Sequence, residues 1–237
     1  MTATLNHQDK RQQQTTIVDV DVMPAPLGVA VRPTPIRKRL FDLAVAIPAA
    51  LITLPVVCAL GALSAIHFRQ SPIFTQPRLG RGAATFRFWK IRTLPRFTPD
   101  TADKYQLRSI ELPKFSRRLR RRHLDELPQL WHVIGGTMSL VGPRPEMPTL
   151  SASFDPGFVA HRLSVRPGLT GLWQVSQDSR RLIGETEDWD RHYVDHHNLR
   201  LDLWIVYRTV LAMTRLDELE SLDQIPRWTG AHVRRAA

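Results

Sequence analysis

The sequence predicts an α-rich α+β fold. An N-terminal re-entrant membrane helix leads into a small cytoplasmic domain that carries amphipathic interfacial helices and a short β-hairpin. Three observations predict it. No charged residue interrupts the stretch from Leu43 to Ile66. Two β-prone runs, Ile73-Phe74 and Phe86-Arg87-Phe88-Trp89, flank a Gly80-Arg81-Gly82 turn. Further on, apolar residues recur at helical spacing, first around Leu127–Ile134 and again across Leu199–Met213. The organisation that follows is a disordered tail over 1–35, a membrane-inserted helix over 36–69, a domain over 70–215 and a C-terminal tail over 216–237.

The N-terminal tail is rich in glutamine, threonine and scattered proline and has little periodicity, which suits a disordered segment. Its one patterned stretch, Ile17–Val22, alternates apolar and acidic residues as a weak strand would. The apolar run comes next. As a helix it reaches about 36 Å at roughly 1.5 Å per residue, beyond the roughly 30 Å of a bilayer's hydrocarbon core. It starts far from the N-terminus, unlike a cleaved signal peptide. Arg37, Lys38 and Arg39 precede it, and Arg69, Arg78, Arg81 and Arg87 follow it. Positive charge at both ends gives no clear direction under the positive-inside rule: either the helix spans and leaves a basic domain outside, or it enters and returns with both flanks cytoplasmic, which is the favoured reading. Pro48 and Pro55 supply a kink that lets the segment enter and return.

Pro113–His123 is a strongly basic stretch with helical potential whose arginines wrap around most of a helix, either a solvated face or one that contacts lipid phosphates. A second helix is expected over Leu124–Ile134, with Leu127, Leu130, Trp131 and Ile134 on one face, Pro128 in its first turns and Gly135-Gly136 as its stop. Leu199–Met213 is expected to lie at the membrane interface, with Trp204 and Tyr207 among its interfacial aromatics.

The chain has 237 residues with 33 lysines and arginines against 22 acids, a formal charge of +11. An anionic partner is implied. The single cysteine, Cys58, excludes an internal disulfide framework and reads as a small buried hydrophobe. The basic residues are not interleaved with stacking aromatics, and a nucleic-acid binder would leave the apolar segment unexplained, so no nucleic-acid partner is expected.

Asp125 and Glu126 are adjacent carboxylates at a predicted helix start. Neighbours on a helix point about 100° apart, so the two suit different tasks. The helix dipole favours their ionised forms, and the free amides nearby suit a phosphate. Alone, such a pair is an ordinary helix start. Its setting changes the reading, because five constrained basic segments surround it in sequence: Gln76-x-Arg78-x-Gly80, Lys90-Ile91-Arg92-Thr93, Arg120-Arg121-Arg122, Pro143-Arg144-Pro145 and Arg166-Pro167-Gly168. Phosphoryl transfer relies on positioning and charge stabilisation by such cations. A retaining glycosidase is disfavoured, since its carboxylates come from separate elements about 5 Å apart.

From Lys38 to about Met213 the chain resembles the bacterial sugar transferases, polyprenol-phosphate phosphoglycosyl transferases of the monotopic type. The resemblance rests on Lys38-Arg39-x-x-Asp42, Phe74-Thr75-Gln76-x-Arg78-x-Gly80, Phe88-Trp89-Lys90-Ile91-Arg92-Thr93, Leu124-Asp125-Glu126-Leu127-Pro128-Gln129-Leu130, Met138 to Pro145, Val165 to Gln174, Tyr193-Val194 and Leu201-Asp202-Leu203.

The resemblance implies an enzyme of the inner membrane with its catalytic domain on the cytoplasmic face. It implies that sugar-1-phosphate passes from a UDP-sugar to undecaprenyl phosphate with release of UMP, the first membrane step of exopolysaccharide or glycan assembly. Asp125 would be the nucleophile and a ligand of Mg²⁺, and Glu126 its catalytic neighbour. Arg144, with Pro143 and Pro145, would bind nucleotide or phosphate. Lys90, Arg92, Arg78 and Arg166 would contact phosphate. Membrane lipids would be further partners, and a homo-oligomer is compatible with all of this. The sugar and the pathway are left open.

Three positions depart from the family pattern. His123 stands where the family has a capping serine. Leu54, with Thr53 before it to satisfy the freed carbonyl, precedes Pro55. Asp178–Glu185 lacks the usual glycine turn. These departures keep a second reading in view, a catalytically silent membrane scaffold of a polysaccharide assembly complex, against which the retained Asp125-Glu126 pair argues.

Overall fold

The computed structural model describes residues 29–95, 112–213 and 218–231. The strand considered at Ile17–Val22 lies outside the described residues. The helix α1 spans Ile36–Phe68. An antiparallel hairpin follows, β1 (Ile73–Leu79) pairing with β2 (Thr85–Ile91) from Ile73↔Ile91 to Leu79↔Thr85. Next come α2 (Lys114–Arg121), a 3₁₀ turn over Leu124–Gln129, α3 (Leu130–Gly135) and β3 (Ser139–Val141). The helices α4 (Pro148–Ser151) and α5 (Pro156–Arg162) lead to β4 (Gly168–Thr170). After several 3₁₀ turns, α6 (Glu187–His196) and α7 (Leu199–Met213) close the order.

Among the described residues, one helix, α1, is long and apolar enough to cross a membrane. It passes through Pro48 and Pro55 as one unbroken helix. Pro55 leaves the Leu51 carbonyl without its usual donor. The expected repair by Thr53 does not occur there, because its hydroxyl donates to the Ala49 carbonyl at 2.7 Å. The first half of α1 buries Lys38, Asp42, Ala46 and Ala50 at intervals of one turn, and its last part buries Gly61 and Ser64. Arg39 donates to the carbonyls of Val133 and Ile134 at the end of α3 (2.6 and 2.7 Å), and the Ser64 hydroxyl donates to the Arg92 carbonyl (2.7 Å). Both ends of α1 thus rest on the same domain. Residues 51–60 between them are not buried, and Leu51, Ile52, Leu54 and Val56 are exposed.

The core gathers Phe88, Val133, Met138, Phe158, Leu172, Trp173, Leu201 and Ile205, with Ala46 and Ala50 of α1 joining it. Leu219, Ile225 and Ala231, from the segment assigned to a C-terminal tail, are buried against it. Residues 29–35, assigned to the N-terminal tail, also meet the domain, through the Arg32 amide bonded to the Ser164 carbonyl (2.8 Å).

One expected helix is divided. Leu124–Gln129 winds as a 3₁₀ turn before α3 begins at Leu130. The tighter turn changes which side chains face inward. His132 and Val133 are buried with Leu130, whereas Trp131 is exposed. The β3–β4 pair is parallel and joins Ser139 to Gly168 and Val141 to Thr170. The backbones approach so closely that a Cβ on Gly168 would overlap the backbone of Gly142. The helix α7 has the bounds expected from its pattern. It exposes Leu199, Leu203, Tyr207, Val210 and Met213 along one face. Trp204 is turned into the core, because the 3.6-residue period places it with Leu201 and Ile205.

Candidate active site

The hairpin supplies one wall of the site. On a strand, residues two apart share a face, so Gln76 and Arg78 of β1 lie beside Lys90 of β2. The 3₁₀ turn brings Asp125 and Glu126 opposite them. Asp125, Glu126, Arg78, Lys90 and Arg144 all line one cavity of about 210 Å³, with Gln76, Arg120 and Glu146. Phe74, Met147 and Leu150 provide its apolar lining. The turn starts from His123, which sits in the left-handed region at φ 54° and makes no side-chain cap bond. The hydroxyl cap of the family pattern is therefore absent, and backbone geometry alone opens the turn.

The two carboxylates have different surroundings. Glu126 Oε1 accepts from Lys90 Nζ at 2.7 Å and from Arg144 Nη2 at 3.2 Å. Burial opposes its ionisation, but Lys90 and then Arg144 outweigh burial and hold its pKa well below the ordinary glutamate value. Asp125 is buried and has a backbone hydrogen bond, yet among the described residues its carboxylate forms no ion pair and no hydrogen bond to a side chain. Burial raises its pKa, Lys90 and Arg120 oppose that, and the charge on Glu126 adds to it. Lys90 is itself pushed down by burial against the pull of Glu126. Arg144 is raised, because Glu126 and Glu146 more than offset its burial.

The basic walls are fixed from behind. Arg78 pairs with Glu146 at 3.0 Å and donates to Gln76 Oε1 at 2.7 Å and to the Pro145 carbonyl at 3.3 Å. Arg120 Nε donates to the Thr93 hydroxyl at 2.9 Å. Arg162, paired with Asp190 at 2.9 Å, donates to the Arg144 carbonyl at 2.7 Å and so holds the Pro143-Arg144-Pro145 loop. Pro143 and Pro145 form the buried base of that loop, and Pro143 also accepts from the Gly168 amide.

Two expected contacts lie elsewhere. Arg92 follows the last β2 residue, so strand alternation no longer aims it at the cavity. Its Nε donates to the Ser71 carbonyl at 2.9 Å, and its guanidinium stands 5.6 Å from the Phe74 ring centre. Arg166 follows the same kind of proline-bounded turn as Arg144, yet it faces a separate concavity with Arg39 and Arg81. The cavity also holds Gln76 and Arg120, from two of the segments expected to surround the carboxylates, and Glu146, which those segments do not include. The i,i+2 spacing of Gln76 and Arg78 held the signal for the first. Glu146 had none beyond the need of a buried arginine for a counter-charge.

No cluster of three or more histidine, cysteine, aspartate or glutamate side chains suited to a metal occurs among the described residues. The donor set nevertheless fits Mg²⁺, which commonly takes one or two carboxylates and fills its remaining positions with substrate phosphates and water. Asp125 is the carboxylate of the cavity that no described side chain engages, with Glu126 adjacent.

An exopolysaccharide production protein, ExoY, of Rhizobium meliloti (strain 1021) is 33% identical over 201 residues, covering 78% of this chain and 88% of that protein. A UDP-glucose:undecaprenyl-phosphate glucose-1-phosphate transferase of Caulobacter vibrioides is 37% identical over 200 residues, 77% of this chain and 71% of the relative. A UDP-N-acetylgalactosamine-undecaprenyl-phosphate N-acetylgalactosaminephosphotransferase of Aeromonas hydrophila is 31% identical over 187 residues, and the match spans only 44% of its length. The profile described as bacterial sugar transferase matches residues 34–216, a region that takes in α1, the hairpin and every residue of the cavity. The chain belongs to the bacterial sugar transferase family.

Proposed function

We propose that this chain transfers sugar-1-phosphate from a UDP-sugar to undecaprenyl phosphate and releases UMP, as a membrane step of exopolysaccharide or glycan assembly. The observation that carries the reading is an Asp125 carboxylate that no described side chain binds, beside a Glu126 already committed to Lys90 and Arg144. An Asp125 oxygen attacks the sugar-bearing phosphorus. The bridging P–O bond breaks, UMP leaves, and the sugar phosphate stays on Asp125 as an acyl phosphate. An oxygen of undecaprenyl phosphate then attacks that phosphorus and frees the carboxylate. Lys90, Arg78 and Arg144 stabilise the charge that moves between phosphates. Asp125 is the residue that would hold Mg²⁺, which when bound would supply further charge neutralisation.

The membrane reading rests on α1 and α7. Residues 51–60 span about 15 Å as a helix, half the roughly 30 Å hydrocarbon core. Two ends docked on one domain, with Pro48 and Pro55 between them, favour a segment that enters and returns over one that crosses. The exposed stripe of α7 suits the same interface. On this reading the domain lies on one face, the cytoplasmic face of the inner membrane.

Incubation of the purified protein with undecaprenyl phosphate and a panel of UDP-sugars tests the reaction through UMP release. One sugar should support turnover, and a phosphosugar should be trapped on wild type but not on Asp125→Asn. Transfer by Asp125→Asn at the wild-type rate would refute the nucleophile. Turnover unchanged in excess chelator would refute the metal.

A further inference from the structure

Three arginines outside the active site face one open concavity of about 500 Å³, lined also by Val31, Thr34 and Ile36. They come from distant parts of the chain. Arg39 lies in the first turns of α1 and is pinned by the carbonyls of Val133 and Ile134. Arg81 lies in the hairpin turn, and its Nη1 reaches the Arg32 carbonyl (3.4 Å) and the Thr34 hydroxyl (3.3 Å). Arg166 precedes β4. Its Nη1 is shielded from solvent and has no hydrogen-bond partner among the described residues. Leaving such a donor unmet costs roughly 1–3 kcal/mol.

None of the three forms an ion pair among the described residues. The carboxylate whose field reaches Arg166 is Asp42, already held by Lys38, Ser139 and the Leu140 amide. Burial lowers the pKa of Arg166, and the charges of Arg81 and Arg39 lower it further, so the three cations repel one another across the cavity. Such a set is completed by an anion with several acceptor oxygens. The rim indicates which anion. Val31, Ile36 and Leu40 are exposed apolar side chains at the root of the helix proposed to enter the bilayer.

We propose that Arg39, Arg81 and Arg166 form a cradle for the phosphate of an anionic membrane lipid, separate from the cavity at Asp125. The inference rests on the membrane docking of α1, and its test separates the two. Flotation of the full chain is measured with phosphatidylcholine vesicles and with the same vesicles containing phosphatidylglycerol. Arg81→Gln/Arg166→Gln should bind neutral vesicles as wild type does and lose about thirtyfold of its affinity for anionic ones. That loss corresponds to about 2 kcal/mol at 1.4 kcal/mol per tenfold, or about 1 kcal/mol for each basic side chain.

Arg81→Lys/Arg166→Lys keeps the charge and lacks the guanidinium fork. It should also lose anionic selectivity, by about tenfold. Wild-type selectivity in the lysine variant would overturn the cradle in favour of general surface potential. Selective binding unchanged in the glutamine variant would overturn it as well. If inorganic phosphate raised the melting temperature of wild type alone while all variants bound anionic vesicles equally, the lipid assignment would be overturned in favour of a soluble phosphate. Loss of binding to neutral vesicles by wild type would instead count against the docking of α1.

Discussion

Two buried charge clusters organise this molecule, and they are finished differently. At the root of α1, Lys38 Nζ stands 3.1 Å from Asp42 and 3.0 Å from Asp202 of α7. Asp42 also accepts from the Ser139 hydroxyl and the Leu140 amide, and Asp202 accepts from the Tyr193 hydroxyl. Each carboxylate there is committed, and the cluster ties α1, β3, α6 and α7 together. In the cavity, Glu126 is equally committed but its neighbour Asp125 is not. A closed cluster is a structural joint. A cluster with one carboxylate left open has a group available for chemistry, and its environment has already raised the cost of keeping that group charged.

The largest test of this contrast is Asp125→Asn. Loss of the proposed nucleophile should lower kcat by about 10⁴-fold or more, read as UMP release. The same change should raise the melting temperature at neutral pH. The sign follows from the raised pKa of Asp125. The folded state binds that proton more tightly than the unfolded state, so the stability is fully present below the unfolded pKa and is lost as pH rises through the folded one. Asparagine removes the penalty. Lys38→Met should behave in the opposite manner. It leaves Asp42 and Asp202 facing each other and should cost about 3–5 kcal/mol in denaturant unfolding. If the two variants changed stability alike, the distinction between joint and site would fail.

A pH profile sharpens the contrast within the site. The acid limb of kcat/KM should follow Asp125 and lie above the ordinary aspartate value of about 3.9, falling about tenfold per pH unit below it. Glu126, held low by Lys90 and Arg144, should add no second limb there. Smaller again is the effect of Arg162→Lys, which weakens the hold on the Arg144 carbonyl and should raise KM for the UDP-sugar by about tenfold with little change in kcat, about 1.4 kcal/mol. Least of all, Arg92→Gln should leave turnover within about twofold, since a surface substitution away from the cavity costs within about 0.5 kcal/mol.

The long elements were legible because their patterns outlast local noise. The apolar length of α1, the runs flanking Gly80-Arg81-Gly82 and the stripe of α7 each repeat over enough residues to be read. The strands β3 and β4 were not, since three residues carry no usable period and their pairing joins positions far apart in the chain. The 3₁₀ turn escaped for a related reason: Leu127, Leu130 and Ile134 satisfy a helical template without revealing a change of pitch. Asp125, Glu126, Arg78, Lys90 and Arg144, expected from their motifs to act together, line one cavity. Arg92 and Arg166 lie apart from that cavity, since motif membership does not say where a strand ends or which side of a loop a side chain leaves. The difference between the two carboxylates was invisible in sequence, being a property of partners brought from β2 and the Pro143-Arg144-Pro145 loop.

The double attachment of α1 has a mechanical consequence. If only its middle enters lipid, the inserted volume lies in one leaflet. That leaflet gains area which the opposite leaflet does not, and the imbalance is relieved where the membrane bulges toward the protein. Bound in this way, the chain acts as a wedge, and its partitioning should strengthen as vesicles become smaller and their outer leaflet is stretched.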